Sequence, residues 1–328
     1  MDVKKYISLG VSAVLVLTGG LLSIKSSGTN IKAGAGDDES VEVTTMKGFR
    51  KAYEDIESVT MRFDTKSSST NSQSISYGDE SQISSSTQTV EMSGAYYVTE
   101  EEYYAEVEAV LHREEYSQKE DGTAKGSTTL ELTYALYIND DGDEAIRIDK
   151  YEVAADYEYD GDYEDVEEYF DDLKAEYEDS MDAVGEYLGE WLECDSIDDE
   201  IFVSMLKLVL ISRMSMERYF ALFATSYDDK EVCKKESDVV YKMKPSAFED
   251  VYGGIGSLKM SLELADSPTI TFMHVDSSEF DVGDDDNDIY GDIVGDTFYS
   301  SCVMAEYIMT NINNTEIKAP KKMDVETF

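Results

Sequence analysis

Between positions 130 and 138 an apolar side chain occupies every second residue: Leu130, Leu132, Tyr134, Leu136 and Ile138. The run ends at Asn139-Asp140-Asp141-Gly142, and Ala145-Ile146-Arg147-Ile148 resumes after it. Successive side chains of a strand point to opposite faces, so this rhythm gathers the whole apolar set on one face. The Asn/Asp/Gly stretch supplies the turn that brings the next strand back antiparallel. A chain built on this hairpin must bury one face of a sheet. Shorter runs of the same kind stand at Val59 to Asp64, Ala95 to Val98, Leu258 to Leu264, Thr269 to Val275 and Thr297 to Ile308, with a Ser/Thr/Gln-rich stretch from Ser67 to Thr89 between the first two. Tyr104 to Leu111 mixes helix-favouring Ala and Glu with a two-residue period, and the period reads as strand.

Helical spacing appears in two places. Thr45 is placed to cap a short helix whose Met46, Phe49, Tyr53 and Ile56 share one stripe. Residues 163–225 then read as helix, with Val166, Tyr169, Phe170, Leu173, Tyr177, Met181, Val184, Leu188 and Trp191 three or four apart and acids between them. A second run from Ile201 to Phe223 carries Lys207, Arg213, Glu217 and Arg218, which argue for a covered core helix over a membrane span. A further short helix is expected from Ser246 to Tyr252. Strand-helix-strand alternation with Gly-rich turns is missing, which excludes a parallel nucleotide-binding sheet. The expected fold class is α+β, an antiparallel sheet with helices grouped on one side.

The N-terminus has the order of an export signal. Lys4 and Lys5 precede an apolar stretch from Tyr6 to Ile24, and small polar residues follow from Lys25. Residues 1–35 are expected to be a signal peptide, with Ala33-Gly34-Ala35 as the small-residue exit, or an N-terminal anchor contacting the membrane through residues 6–24. Residues 36–44 form a flexible linker, and residues 45–328 one domain with a helical insert at about 163–235. The formal net charge is −45, with 72 acidic residues against 27 basic ones. Such a surface repels phosphate backbones, so nucleic acid is excluded as a partner. Three cysteines, Cys194, Cys233 and Cys302, allow at most one internal disulfide.

Chemistry-bearing motifs are sparse. Asp156, Glu158, Asp160, Asp162 and Glu167 fall at loop positions 1, 3, 5, 7 and 12, with Gly161 at position 6, the spacing by which oxygen ligands wrap around Ca2+. Asp281 to Asp292 is a second acidic stretch without that spacing, and reads as a solvated loop. Neither GxSxG nor HExxH nor a P-loop is present, and His112 and His274 stand alone on expected strands. An enzymatic role is therefore not expected.

Taken in order, the elements resemble the LolA-like or LppX-like superfamily of exported lipid-binding proteins. The residues that carry the resemblance are Phe49 to Phe63, a helix leading straight into a first strand, and Leu258 to Pro320. The latter ends Tyr307-Ile308-Met309-Thr310-Asn311-Ile312-Asn313-Asn314-Thr315-Glu316-Ile317-Lys318-Ala319-Pro320, similar to the ending of many Gram-positive members. The resemblance implies a curved antiparallel half-barrel whose concave face is covered by helices. It also implies an apolar cavity, for which Leu132, Tyr134, Leu136, Met260, Leu262, Phe272 and Met304 are the candidate lining residues. Two functions follow as expectations for a secreted or cell-surface location. One is an exported, non-enzymatic protein holding a lipid or apolar small molecule. The other is a cell-surface interaction protein with a filled core and an acidic face that meets a protein or a cation.

Overall fold

In a computed structural model, residues 44–77, 80–99, 102–119, 122–139, 144–161, 164–193, 199–209, 213–244, 257–282 and 293–317 are described. The expected export segment, most of the expected linker, the expected helix at 246–252, Cys194, Asp162 and most of the 281–292 stretch lie outside them. Eleven strands form one antiparallel sheet: β1 (Val59–Tyr77), β2 (Glu80–Val98), β3 (Tyr103–Lys119), β4 (Gly122–Ile138), β5 (Glu144–Gly161), β6 (Trp191–Glu193), β7 (Cys233–Lys235), β8 (Val240–Met243), β9 (Ser257–Glu263), β10 (Thr269–Val282) and β11 (Ile293–Thr310). Their spatial order is β6-β5-β4-β3-β2-β1-β11-β10-β9-β8-β7. The first and last long strands therefore meet in the middle of the sheet, and two three-residue strands end it. Among the described residues four helices accompany it: α1 (Met46–Glu54), α2 (Glu164–Gly185), α3 (Glu200–Val209) and α4 (Arg213–Ser226).

The expected α+β half-barrel is corrected to a mainly β architecture dominated by this sheet. Two local misreadings explain the difference. The Ser/Thr/Gln-rich stretch from Ser67 to Thr89 is strand almost throughout, completing β1 and β2 at 19 residues each. Its alternation is polar on both faces, so a hydrophobic rhythm does not register it, although β-branched threonines suit a pleated surface and Thr70 and Thr87 face each other across the pair at 3.4 Å. The helical reading of 163–225 is also interrupted, because Trp191 lies in β6, paired with Arg147 of β5, and the second run splits into α3 and α4.

The apolar core occupies one half of one face. Val59, Met61, Phe63, Tyr96, Ala105, Val107, Ala109, Leu111, Leu130, Leu132, Ile146, Ile148, Ile270, Leu262 and Met309 all belong to it. Along β3 the alternation from Tyr103 to Leu111 is strict, as a strand with one buried face requires. The helices close over this half. The edge of Phe202 in α3 meets Tyr151 at 5.0 Å between centroids, Tyr219 of α4 stacks on Phe272 at 5.4 Å, and Phe49 of α1 reaches Phe220 of α4 at 6.3 Å. Further along β5, Phe170 of α2 stacks on Tyr157 at 4.7 Å. At about 3.3 Å per residue the longest strands extend roughly 60 Å, well past this core, and their far halves carry mainly Ser, Thr, Gln, Asn, Tyr and acids.

Candidate binding cleft

The apolar residues expected to line a cavity sit in a packed interior. Leu132, Tyr134, Met260, Leu262 and Phe272 are buried members of the core, and Leu136 packs against it. Tyr134 donates its hydroxyl to the Val209 carbonyl at 3.1 Å, which fastens the last turn of α3 to β4. Met304 is the exception and is corrected: it is 43 % exposed. In β11 the core-facing residues are Ala305, Tyr307 and Met309, so Met304 is out of phase with them and points to the opposite face beside Met273.

The calcium-loop reading is corrected as well. Asp156, Glu158 and Asp160 lie on β5, a strand that continues to Gly161, so their carboxylates repeat along one face instead of folding back around an ion. Glu167 sits on α2 and is exposed. Among the described residues, no three His, Cys, Asp or Glu side chains gather as a metal-binding group.

Two of these acids nevertheless border a concave feature that spacing along one strand could not reveal. The register places Thr87, Glu114, Ser127 and Asp156 in one row across β2 to β5, and Ser85, Tyr116, Lys125 and Glu158 in the next. These eight residues, with Glu115 and Gly126 between them, line a cleft of about 420 Å³. The eight are out of phase with Val90, Leu111, Leu130 and Val153, so the cleft opens on the face turned away from the core. Glu114, Asp156 and Glu158 turn three carboxylates to this face against the one ammonium of Lys125, while Glu115, in phase with Leu111, contributes to the lining from the core side. Arg113 pairs with Glu115. His112, its Nδ1 3.0 Å from the Thr129 hydroxyl, holds Nε2 3.5 Å from Glu114. Hydroxyls of Ser85, Thr87, Ser127 and Tyr116 complete the lining. The arrangement accepts hydrogen bonds, offers a phenol ring and carries net negative charge, which suits a cationic hydrogen-bond donor.

Behind this cleft, burial pushes the Tyr157 phenol above its usual range, and burial does the same to Tyr177 of α2. Tyr157 also shares a hydrogen bond with Thr128 at 3.1 Å. Tyr157, stacked on Phe170, thus backs the sheet behind the cleft from the core side.

No family model matches the chain, and no curated protein sequence matches it. Solved structures with partial likeness include Ail, the attachment invasion locus protein of Yersinia pestis, in complex with the heparin analogue sucrose octasulfate, at 4 % identity, covering 74 % of this chain and 98 % of that one with a TM-score of 0.10. The P. putida toluene transporter TodX follows at 7 % identity, 79 % and 91 % coverage and a TM-score of 0.19. Pseudomonas aeruginosa OpdO gives 7 % identity, 77 % and 97 % coverage and a TM-score of 0.09. Scores this low do not show a shared fold. The LolA-like or LppX-like resemblance is overturned: no family model supports it, and the chain is mainly one large sheet.

Among the described residues, no helix is long and apolar enough to cross a membrane.

Proposed function

We propose that this chain is an exported, non-enzymatic interaction protein of the cell surface or extracellular space, and that its acidic cleft receives a basic segment of a protein partner. The observation that carries the reading is the cleft itself, where Glu114 of β3 and Asp156 and Glu158 of β5 bring three carboxylates around the single Lys125 of β4 on the face turned away from the core. The charged-then-apolar N-terminus supports export. Filling of the opposite face by packed side chains supports a surface role over storage of an apolar ligand. A field from a net charge of −45 speeds encounter with cationic partners and weakens with salt.

The test is binding of a fluorescent oligolysine peptide to the purified chain, with an oligoglutamate peptide as control. Oligolysine is expected to bind, more weakly as NaCl is raised. The combined Glu114→Gln, Asp156→Asn and Glu158→Gln variant is expected to bind at least tenfold more weakly. Equal binding by that variant would remove the cleft from the reading, the rest of the acidic surface then accounting for the attraction.

A further inference from the structure

On the core-side face, beyond the apolar half, shielded polar atoms collect in one place. Asn71 Oδ1 and Asp276 Oδ1 are shielded from solvent and make no hydrogen bond, and Tyr299 Oη, equally shielded, has only the Ser301 hydroxyl near it. They come from three neighbouring strands, β1, β10 and β11. Asn71 stands directly opposite Tyr299, and Asp276 stands opposite Ser301, two residues along β11 from Tyr299. All share the phase of Phe63, Phe272 and Tyr307, so they face the same side as the core. Ser69, Ser278 and buried Ser301 are their neighbours in register, and His274 precedes Asp276 by two residues on that face. Burial pushes the Tyr299 phenol upward, the Ser301 hydroxyl opposes the shift and the charge of Asp276 adds to it, which places Tyr299 and Asp276 within electrostatic reach of each other.

Withdrawing such groups from water without compensation costs free energy, most of all for a carboxylate. One shielded oxygen is commonplace, but three on the same face of three successive strands define a recognition chemistry. All three are oxygens that can accept a hydrogen bond, and one carries a negative charge. A primary ammonium group offers three N–H donors and no acceptor, together with the opposite charge. A guanidinium would present a planar fork suited to paired acceptors. Calcium would call for six to eight oxygen ligands, against one carboxylate here.

We propose that Asn71, Asp276 and Tyr299 form a binding site for a primary ammonium group, supplied either by a free small amine or by a lysine side chain. The site is on the opposite face of the sheet from the acidic cleft and does not depend on it.

The experiment uses the purified full-length chain and follows thermal unfolding by circular dichroism. Two salts are compared at equal concentration: methylammonium chloride, and tetramethylammonium chloride, which has the same charge but no N–H donor. A third arm uses Nα-acetyl-lysine methylamide. The midpoint is expected to be higher in methylammonium than in tetramethylammonium, by an increment that grows with concentration as binding linkage requires. Asp276→Asn and Tyr299→Phe are each expected to weaken the apparent affinity at least tenfold. Should Asp276→Asn fail to fold, Tyr299→Phe, which keeps the ring and loses one hydroxyl, carries the comparison. Tighter binding of the lysine derivative than of methylammonium assigns the ammonium to a protein side chain, and weaker binding assigns it to a free amine. Equal midpoints in the two salts, or an undiminished difference in Tyr299→Phe, overturns the proposal, the oxygens then being satisfied by water. The cleft variants should leave the difference intact, so that failure of one reading is separable from failure of the other.

Discussion

Single side chains hold the ends of this sheet together. Asn313, just past β11, has a φ of 57°, in the left-handed region that asparagine tolerates better than most residues. Its Oδ1 accepts from the backbone N–H of Glu57 at 2.7 Å, and its Nδ2 donates to the Asp55 carbonyl at 3.1 Å. One amide thus ties the C-terminal turn to the junction between α1 and β1, about 256 residues away in sequence. Replacing Asn313 with Ala is expected to destabilise the fold by about 1–3 kcal/mol, through lost hydrogen bonds and a strained φ, measured as a lower denaturation midpoint. Gly94 is a second sensitive position. A Cβ there would lie 2.1 Å from the Glu106 carbonyl oxygen and 2.9 Å from the Phe63 ring. Both neighbours are fixed by the sheet, so Gly94→Ala is expected to cost about 1–3 kcal/mol by overpacking, read from urea unfolding.

At the scale of elements, the cover over the core depends on the joint between α2 and α3. Asp199 stands at the N-cap of α3, where its Oδ1 accepts from the Phe202 N–H at 2.7 Å and from the Ser180 hydroxyl of α2 at 2.8 Å. The same Ser180 hydroxyl is 3.1 Å from the Tyr151 hydroxyl of β5. One carboxylate therefore starts a helix, links it to another and reaches the sheet. Asp199→Ala is expected to remove about 1–2 kcal/mol, in the range of a lost helix cap, and Trp191, the one tryptophan, reports the change by fluorescence. The free edge of β5 raises a different issue. Its partner β6 pairs with Ala145, Ile146 and Arg147, so among the described residues the stretch carrying Asp156, Glu158 and Asp160 has no strand beyond it. Charged side chains on such an edge discourage pairing with another copy. Changing all three to Ser is expected to promote association, detected by light scattering.

For the whole molecule, charge and buried phenols set the response to solvent. Burial raises the phenols of Tyr96, Tyr151, Tyr157, Tyr177, Tyr241 and Tyr299 above their usual value near 10. A folded state that holds these protons more tightly than the unfolded chain keeps their full contribution below pH 10 and loses it as pH climbs from there through the raised values. Stability is therefore expected to fall above about pH 10, with phenolate absorbance appearing later in the folded protein than in urea. Self-repulsion from a net charge of −45 acts at all ordinary pH values. Adding NaCl screens it, so the thermal midpoint is expected to rise with salt.

Sequence alone determined where one-sided strands lie. Leu130 to Ile138 and Tyr103 to Leu111 alternate because one face must leave water, and that demand is written locally in residue type. It also determined α1, whose Thr45 cap accepts from Gly48 N–H at 3.1 Å, and the net acidity of the chain. Ser67 to Thr89 was illegible as strand because nothing apolar marks its faces; only pairing with β3 and β11 holds it extended. Likewise, Asp156 and Glu158 signalled a loop when read along the chain, and became walls of a cleft once β4 and β3 lay beside them. The grouping of Asn71 with Asp276 and Tyr299 brings it beside residues more than 200 positions away. Register between distant strands is set by the hydrogen-bonded ladder as a whole, so only the assembled sheet decided which polar groups would face one another.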